Sequence, residues 1–428
     1  MEIVIIGCGA AGGTAAQFAR KNNRKALITI FEKGPYPQYS RCGLPYTLSG
    51  EVCPEDLIEF SQDWFHKARI NLHLNTPVKQ IDFDKKYICT TNGEYKYDSL
   101  IIATGVHSQA PFPIETKKHS FLRTLNDAQH IQQVATKGKH IAIIGGGPTG
   151  LEAAEALIKR GIKVTLIEYY PTLLPTLLDS DMAPIIHDTL MKKESLSLLL
   201  NHEVTSIEGD LDIHIKNRET GTTRTIDADF VLVASGNTPV IDLVPPSMTD
   251  KGIMIDERCE TSKKNVYAIG DCSQYRDITG ASCLVGLGSI AVRQGKVAGI
   301  NASGGQAILS PLLNTRVTKV FDLEIAAVGP LGHGLDNILV GTFRGSSRPD
   351  YLPREEIRVK VMATRQGKLV AAQIIGPGAA QRINAFATAI KGNMTLQQFS
   401  DIETAYAPVV SPVFLPSALA CEVALRKQ

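Results

Sequence analysis

Two short glycine clusters in this chain have the residue types and spacing to hold phosphate. Gly7-Cys-Gly9-Ala-Ala-Gly12 and Gly145-Gly-Gly147-Pro-Thr-Gly150 both follow the pattern G-x-G-x-x-G. In that pattern the first glycine permits a tight turn, the second lets the backbone approach a pyrophosphate, and the third packs a helix against a strand. Amides left open at the helix start favour phosphate oxygens. Glu32 and Glu168 lie roughly 20 residues farther on, where a carboxylate can accept the hydroxyls of an adenosine ribose. An acid at that point prefers a free 2′-hydroxyl and repels a 2′-phosphate, so Glu168 favours NADH over NADPH.

The elements that must position these loops are legible beside them. Glu2-Ile-Val-Ile-Ile6 and His140-Ile-Ala-Ile-Ile144 are short β-branched runs, expected as buried parallel strands. Thr14 to Lys21 and Leu151 to Arg160 carry helical patterns, and Gly161 stops the second. Leu27–Phe31 and Val164–Ile167 supply the next strand of each unit, and each runs into its glutamate. One glycine-rich turn is weak evidence. Two copies with strand, helix, second strand and terminal acid make a dinucleotide-binding pair.

The bulk properties fit a multidomain globular protein. A chain of 428 residues exceeds one hydrophobic core, and about two to four domains are expected. The formal charge of +2 gives no sign of nucleic acid binding. No basic region precedes the first apolar run and no stretch reads as a membrane span, so a cytoplasmic protein is expected. The apolar late segment Ala407 to Leu425 is broken by Pro408, Pro412 and Pro416 and reads as a buried interface element. The eight cysteines are scattered singly, without the paired spacing of zinc sites or dithiol redox motifs, and no metal site is expected.

Three further segments complete a pattern. Asp98-Ser-Leu-Ile-Ile-Ala-Thr104-Gly105, Phe230-Val-Leu-Val-Ala-Ser-Gly236 and Thr261-Ser-Lys-Lys-Asn-Val-Tyr-Ala-Ile-Gly270-Asp271 follow the two glycine units in order. With them the whole chain resembles the pyridine nucleotide-disulfide oxidoreductases. The resemblance implies an α/β fold of two Rossmann-like domains, one for FAD and one for NAD, and a C-terminal α+β dimerisation domain. FAD would occupy 1–110 and 237–310, NAD 111–236, and the dimerisation domain 311–428. It also implies that Asp271 bonds the ribityl chain of FAD. Lys33, Thr104, Gly105, Gly236 and Gly270 would join Gly7, Gly9, Gly12 and Glu32, and Glu152 would join Gly145, Gly147, Gly150 and Glu168, around the two cofactors.

Tyr39-Ser-Arg-Cys42-Gly-Leu-Pro-Tyr46 resembles the segment of the family's single-cysteine branch, which includes CoA-disulfide reductase, NADH oxidase and NADH peroxidase. Thr47 and Pro37 stand where a second thiol would pair with Cys42. In that branch NADH reduces the flavin and the flavin reduces a sulfur bond at the cysteine. Thiolate is the nucleophile, and the adjacent Arg41 is a cation that favours it. Ala10 stands where the oxidases and peroxidases of the branch carry histidine, which points to disulfide or persulfide rather than peroxide. Tyr351 and Tyr406 match a tyrosine pair that reaches the partner subunit's site, where a phenol can protonate a leaving thiolate. Thr14, Lys21, Arg41 and Arg293 match or nearly match the branch's coenzyme A contacts, and Arg20, Arg24 and Lys25 add positive charge nearby.

Two departures bear on the acceptor. Pro148 replaces the aromatic residue that covers the flavin in many relatives, and Ala407-Pro-Val-Val-Ser replaces Ala-Pro-Pro-Tyr after Tyr406. No rhodanese-like extension is expected after Gln428. The expected activity is FAD-dependent, NADH-preferring reduction of coenzyme A disulfide, persulfide or polysulfide by a homodimer. The alternative is an NADH oxidase or diaphorase that passes electrons to oxygen, a quinone or a redox protein.

Overall fold

The computed structural model describes every residue except Val285. The chain folds as two compact units. The first comprises Met1–Gln109, Arg123–Gln129 and Gly236–Leu312, and the second Ala110–Leu122, His130–Ser235 and Leu313–Gln428.

The first unit is built on a five-stranded parallel sheet. Its order is Val266–Ala268, Ser99–Ile102, Glu2–Ile6, Leu27–Phe31, Ile70–His73. Ile3, Val4, Ile5 and Ile6 are all buried, because both faces of a parallel sheet are covered. The glycine loop leads into the helix Ala10–Asn22, which packs against the helix Gly288–Ala302. A Cβ on Gly295 or Gly299 would sit 2.5 or 2.3 Å from the carbonyl of Ala11 or Ala15, so glycine is what lets the two helices approach.

The second unit contains a parallel sheet of the same plan, ordered Leu196–Leu199, Lys163–Ile167, His140–Ile144, Phe230–Val233, His119–Phe121. Here the helix after the loop runs from Pro148 to Lys159. It starts earlier than the sequence pattern suggested, because proline at the first helical position loses no hydrogen bond. The same unit carries a five-stranded antiparallel sheet, ordered Arg316–Val320, Leu323–Val328, Leu369–Ile375, Glu356–Thr364, Ile338–Ser346. The helix Pro416–Leu425 lies directly on it, with the Ala420 carbonyl only 2.0 Å from where a Cβ on Gly341 would be. Of the apolar stretch expected as an interface element, only this helix is well covered within the single chain. Val409, Val410, Val413 and Phe414 are exposed, because the prolines keep that segment out of regular structure.

Among the described residues no helix is long and apolar enough to cross a membrane.

Candidate active site

The first glycine loop leaves its strand with Gly7 at φ +101°, a conformation open to glycine. A Cβ there would lie 2.3 Å from the Ala103 carbonyl, and one on Gly12 would lie 2.0 Å from the Gly7 carbonyl. Among the described residues nothing stands within 4 Å of a Cβ position on Gly9, so the loop keeps an open face where a pyrophosphate would come. Glu32 braces the turn, accepting from the Cys8 amide at 2.7 Å and the Gly34 amide at 2.8 Å. Each carboxylate oxygen keeps a lone pair for a ribose hydroxyl. Lys33, Tyr36, Tyr39, Arg41, Thr124 and Asn126 help line a cleft beside this loop.

The far side of the same unit supplies Asp271. It follows Gly270, whose φ is +74° and whose amide donates to Gln294 at 2.7 Å. Thr104 donates to the Val240 carbonyl at 2.7 Å, and the Gly105 carbonyl accepts from the Val240 amide at 2.9 Å. The amide of Gln109 donates to the Gly236 carbonyl at 3.2 Å. These bonds tie the segment Met1–Gln109 to the segment Gly236–Leu312.

Arg123 is the residue that sequence reasoning missed. Its guanidinium donates to Asp271 at 3.3 Å, and its Nε is buried with no hydrogen-bond partner among the described residues. Burial and the nearby charge of Arg41 lower this guanidinium from its ordinary value, while Asp271 opposes them. A buried, partnerless N–H beside Asp271 and Arg41 fits a phosphate-bearing cofactor. One local signal was available. Thr124 and Asp127 cap each other reciprocally, with the Thr124 amide donating to Asp127 at 2.7 Å and the Asp127 amide to the Thr124 hydroxyl at 3.1 Å. That box fixes the backbone beside Arg123, whose amide also donates to Asp127.

Cys42 sits in the helical turn Arg41–Gly43 and is exposed. Its neighbours Tyr39 and Arg41 line the cleft, and the Arg41 guanidinium carbon lies 5.8 Å over the Tyr39 ring. Thr47 is fully buried, and its hydroxyl donates to the Leu44 carbonyl at 2.7 Å. The position for a second thiol is therefore spent on packing. Four of the other cysteines are deep in the protein. Burial pushes the thiols of Cys8, Cys259 and Cys272 well up, and that of Cys421 up to about 12, so all four stay protonated and inert.

The candidate substrate cations divide. The Arg20 guanidinium donates to the carbonyls of Ala68, Arg24, Ala26 and Arg69, so it fastens the helix end and is not available to an anion. The Lys21 ammonium lies 4.8 Å from the Phe18 ring and Arg293 is exposed. Thr14 is buried under Gly295.

The second glycine loop repeats the first. Gly145 has φ +113°, and a Cβ there would lie 2.4 Å from the Ala234 carbonyl. A Cβ on Gly150 would lie 1.9 Å from the Gly145 carbonyl, and Gly147 again faces open space. Glu168 accepts from the Gly146 amide at 2.5 Å and the Tyr170 amide at 2.8 Å. Burial raises its carboxyl above the usual range, opposed by those two amides and that of Tyr169. Glu152, on the helix, accepts from the Thr318 hydroxyl at 2.6 Å and is also raised, by burial first.

A segment after Glu168 closes this loop. The Leu174 amide donates to the Gly146 carbonyl at 3.0 Å. Farther on, Asp179 accepts from the Gly332 amide at 2.8 Å, and its own amide donates to Gln373 at 3.0 Å. Lys360, from the antiparallel sheet, is 7% exposed and pairs with Asp179 at 2.8 Å and Asp181 at 2.7 Å. In the same unit Tyr351 and Tyr406 are neighbours and both exposed. The neighbouring Tyr406 hydroxyl, then burial, then the Tyr406 charge raise the Tyr351 phenol.

The family described as "Pyridine nucleotide-disulphide oxidoreductase" matches residues 1–321, and its dimerisation domain matches residues 316–417. The chain belongs to this oxidoreductase family. It is 35% identical to an NADH oxidase of Methanocaldococcus jannaschii, over 100% of this chain and 99% of that protein. It is 32% identical to the NAD(P)H coenzyme A polysulfide/persulfide reductase of Pyrococcus horikoshii, over 97% and 96%. Among solved structures, the NAD-dependent persulfide reductase of A. fulgidus superposes with a TM-score of 0.93 at 32% identity, covering 100% of this chain and 83% of that one. The twin parallel sheets, with the antiparallel sheet following, are the architecture of this family's FAD, pyridine nucleotide and dimerisation parts.

Proposed function

We propose that this oxidoreductase reduces coenzyme A disulfide, coenzyme A persulfide or polysulfide with NADH, and that Cys42 is its redox thiol. The observation that carries the reading is an exposed Cys42 in the same helical turn as Arg41, which lines the first dinucleotide cleft. Gly7, Gly9, Gly12, Glu32, Lys33, Arg123 and Asp271 would hold FAD. Gly145, Gly147, Gly150 and Glu168 would hold NADH. FAD, when bound, supplies two-electron chemistry between the pyridine nucleotide and sulfur. The Cys42 thiolate attacks R–S–S–R, forms Cys42–S–S–R and expels RS⁻. Two electrons and a proton, both ultimately from NADH and solvent, then release RSH and restore the thiolate. Arg41 favours the anionic sulfur, and a cation there also suits an anionic substrate.

The protein would act as a cytoplasmic homodimer, with the division 1–110, 111–236, 237–310 and 311–428. Support for a covered surface comes from Ile402, Tyr406, Val409, Val410, Val413 and Phe414, all exposed in one chain. Tyr351 and Tyr406 would protonate the leaving thiolate across the dimer, since a phenol can act as general acid. Thr14, Lys21 and Arg293 would hold the coenzyme A moiety. The deciding experiment compares wild type with Cys42→Ser for NADH-driven thiol release from coenzyme A disulfide, glutathione disulfide, cystine and polysulfide. Wild type should prefer the coenzyme A substrates. The variant should lose thiol release while NADH still bleaches the flavin. Full disulfide turnover by the variant would sink the role of Cys42.

A second reading, an NADH oxidase, is favoured by Pro148. It opens its helix where many relatives place an aromatic cover. Oxygen uptake faster than thiol release in the same assay would select it.

A further inference from the structure

Glu168 marks where the adenosine ribose of a dinucleotide should lie in the second unit, at the end of the strand that follows the glycine loop. The lip next to it is built from a segment distant in sequence. Arg218 sits at the turn between the strands Asp212–Asn217 and Thr223–Ile226. Its amide donates to the Asn201 carbonyl at 2.9 Å, and the Asn201 amide donates to the Tyr170 carbonyl at 2.9 Å. This ladder fixes the turn against the residues that follow Glu168.

The Arg218 side chain is folded over Tyr169. Its guanidinium carbon lies 3.8 Å from the ring centroid, and Nη1 donates to the Tyr169 carbonyl at 3.2 Å. A longer contact of 3.5 Å reaches the Asn201 side chain. Among the described residues no ion pair involves this exposed guanidinium, although Glu219 is its neighbour in the chain. A flat arginine stacked on an aromatic face keeps the edge of its fork open for an oxyanion. Meanwhile both oxygens of Glu168 receive backbone amides, from Gly146 and Tyr170, and the group is only 5% exposed. Its charge is directed inward at the loop, which weakens its repulsion of an anion at the lip.

We propose that Arg218 is a specificity-determining residue that binds a 2′-phosphate, so that the second site takes NADPH as well as NADH. The acid alone excludes a 2′-phosphate, whereas a nearby arginine accommodates one. The inference rests on the second glycine loop being the pyridine nucleotide site, and not on the identity of the sulfur substrate.

The test is equilibrium binding of NADP⁺ and NAD⁺ to the flavin-loaded full-length protein, for wild type, Arg218→Ala and Arg218→Lys. Loss of one charged hydrogen-bonding partner should weaken NADP⁺ about tenfold or more in Arg218→Ala. NAD⁺ should stay within about twofold, since Arg218 has no 2′-phosphate to meet there. Arg218→Lys should recover part of the NADP⁺ affinity, and raising the salt should erase the wild-type advantage. Equal losses for both nucleotides would show a fastener of the lip and overturn the proposal. So would unchanged NADP⁺ binding in Arg218→Ala. A selective NADP⁺ loss alongside a negative thiol-release panel would leave Arg218 standing and remove only the sulfur-substrate reading.

Discussion

In the first glycine loop the amide of Cys8 is held by Glu32, and in the second the amide of Gly146 is held by Glu168. The first and third glycines make the same close approaches, 2.3 and 2.0 Å in one unit and 2.4 and 1.9 Å in the other. The surroundings then diverge. Glu32 is half-buried in a cleft lined also by Lys33 and Arg41, and the unit adds a half-buried arginine, Arg123, that reaches Asp271. Glu168 is buried and followed by two exposed tyrosines, and its loop is closed by a segment anchored to the antiparallel sheet. The phosphate cradle is therefore the common part, because it depends on backbone amides and absent side chains. Retention of one ligand and exchange of another must come from what each unit adds around it.

The largest effect should come from filling the cradle itself. Gly12→Ala and Gly150→Ala each force a Cβ to about 2 Å from a carbonyl oxygen, a clash with backbone that cannot rotate away. Each should cost about 3 kcal/mol at the altered loop. The ligands lost should differ. Gly12→Ala should yield protein without flavin absorbance. Gly150→Ala should stay yellow, reducible by dithionite and inert to NADH. If both variants lost flavin to the same extent, the assignment of one cradle to each cofactor would fail.

Comparable in size is the anchor of the second loop. Lys360→Met leaves Asp179 buried without its cation and should destabilise the protein by about 3 kcal/mol in urea unfolding. Burial alone would lower the Lys360 ammonium, but its hydrogen bonds to Asp179 and Asp181 outweigh this and raise it. A raised lysine contributes stability that is complete below its unfolded value and is lost as pH rises through its folded one. The gap between wild type and Lys360→Met should hold steady from neutrality to roughly pH 10 and shrink above it. A gap that instead widened in alkali would contradict the ion pair.

The smallest of the three concerns the addition that the first unit makes. Arg123→Met should weaken FAD retention about tenfold, read as flavin released on dilution, and leave NAD⁺ affinity unchanged. Comparable losses of both would mean that Arg123 supports the whole molecule and not one cradle.

Much of this comparison could be read along the chain. The paired loops, their strands and helices, and the terminal glutamates are local features. A glycine at positive φ, a β-branched run and an acid at a fixed distance each declare themselves within about 30 residues. The boundaries moved slightly where Pro148 began its helix early. The basic run from Arg20 to Lys25 was misleading in part, since composition cannot distinguish a cation waiting for an anion from one bonded to backbone carbonyls. Arg123 escaped notice because its partner Asp271 is 148 positions away.

The sequence by itself determined that two dinucleotide cradles exist, that Cys42 has no second thiol in its motif, and which acid ends each unit. These follow from steric and conformational demands that adjacent residues meet together. Only the tertiary structure decided how each cradle is completed: Arg123 on Asp271, Lys360 between Asp179 and Asp181, and Arg218 over Tyr169. Those pairs join segments far apart in the chain. Their energies depend on distance and burial in the folded state, and neither quantity is written in the order of the residues.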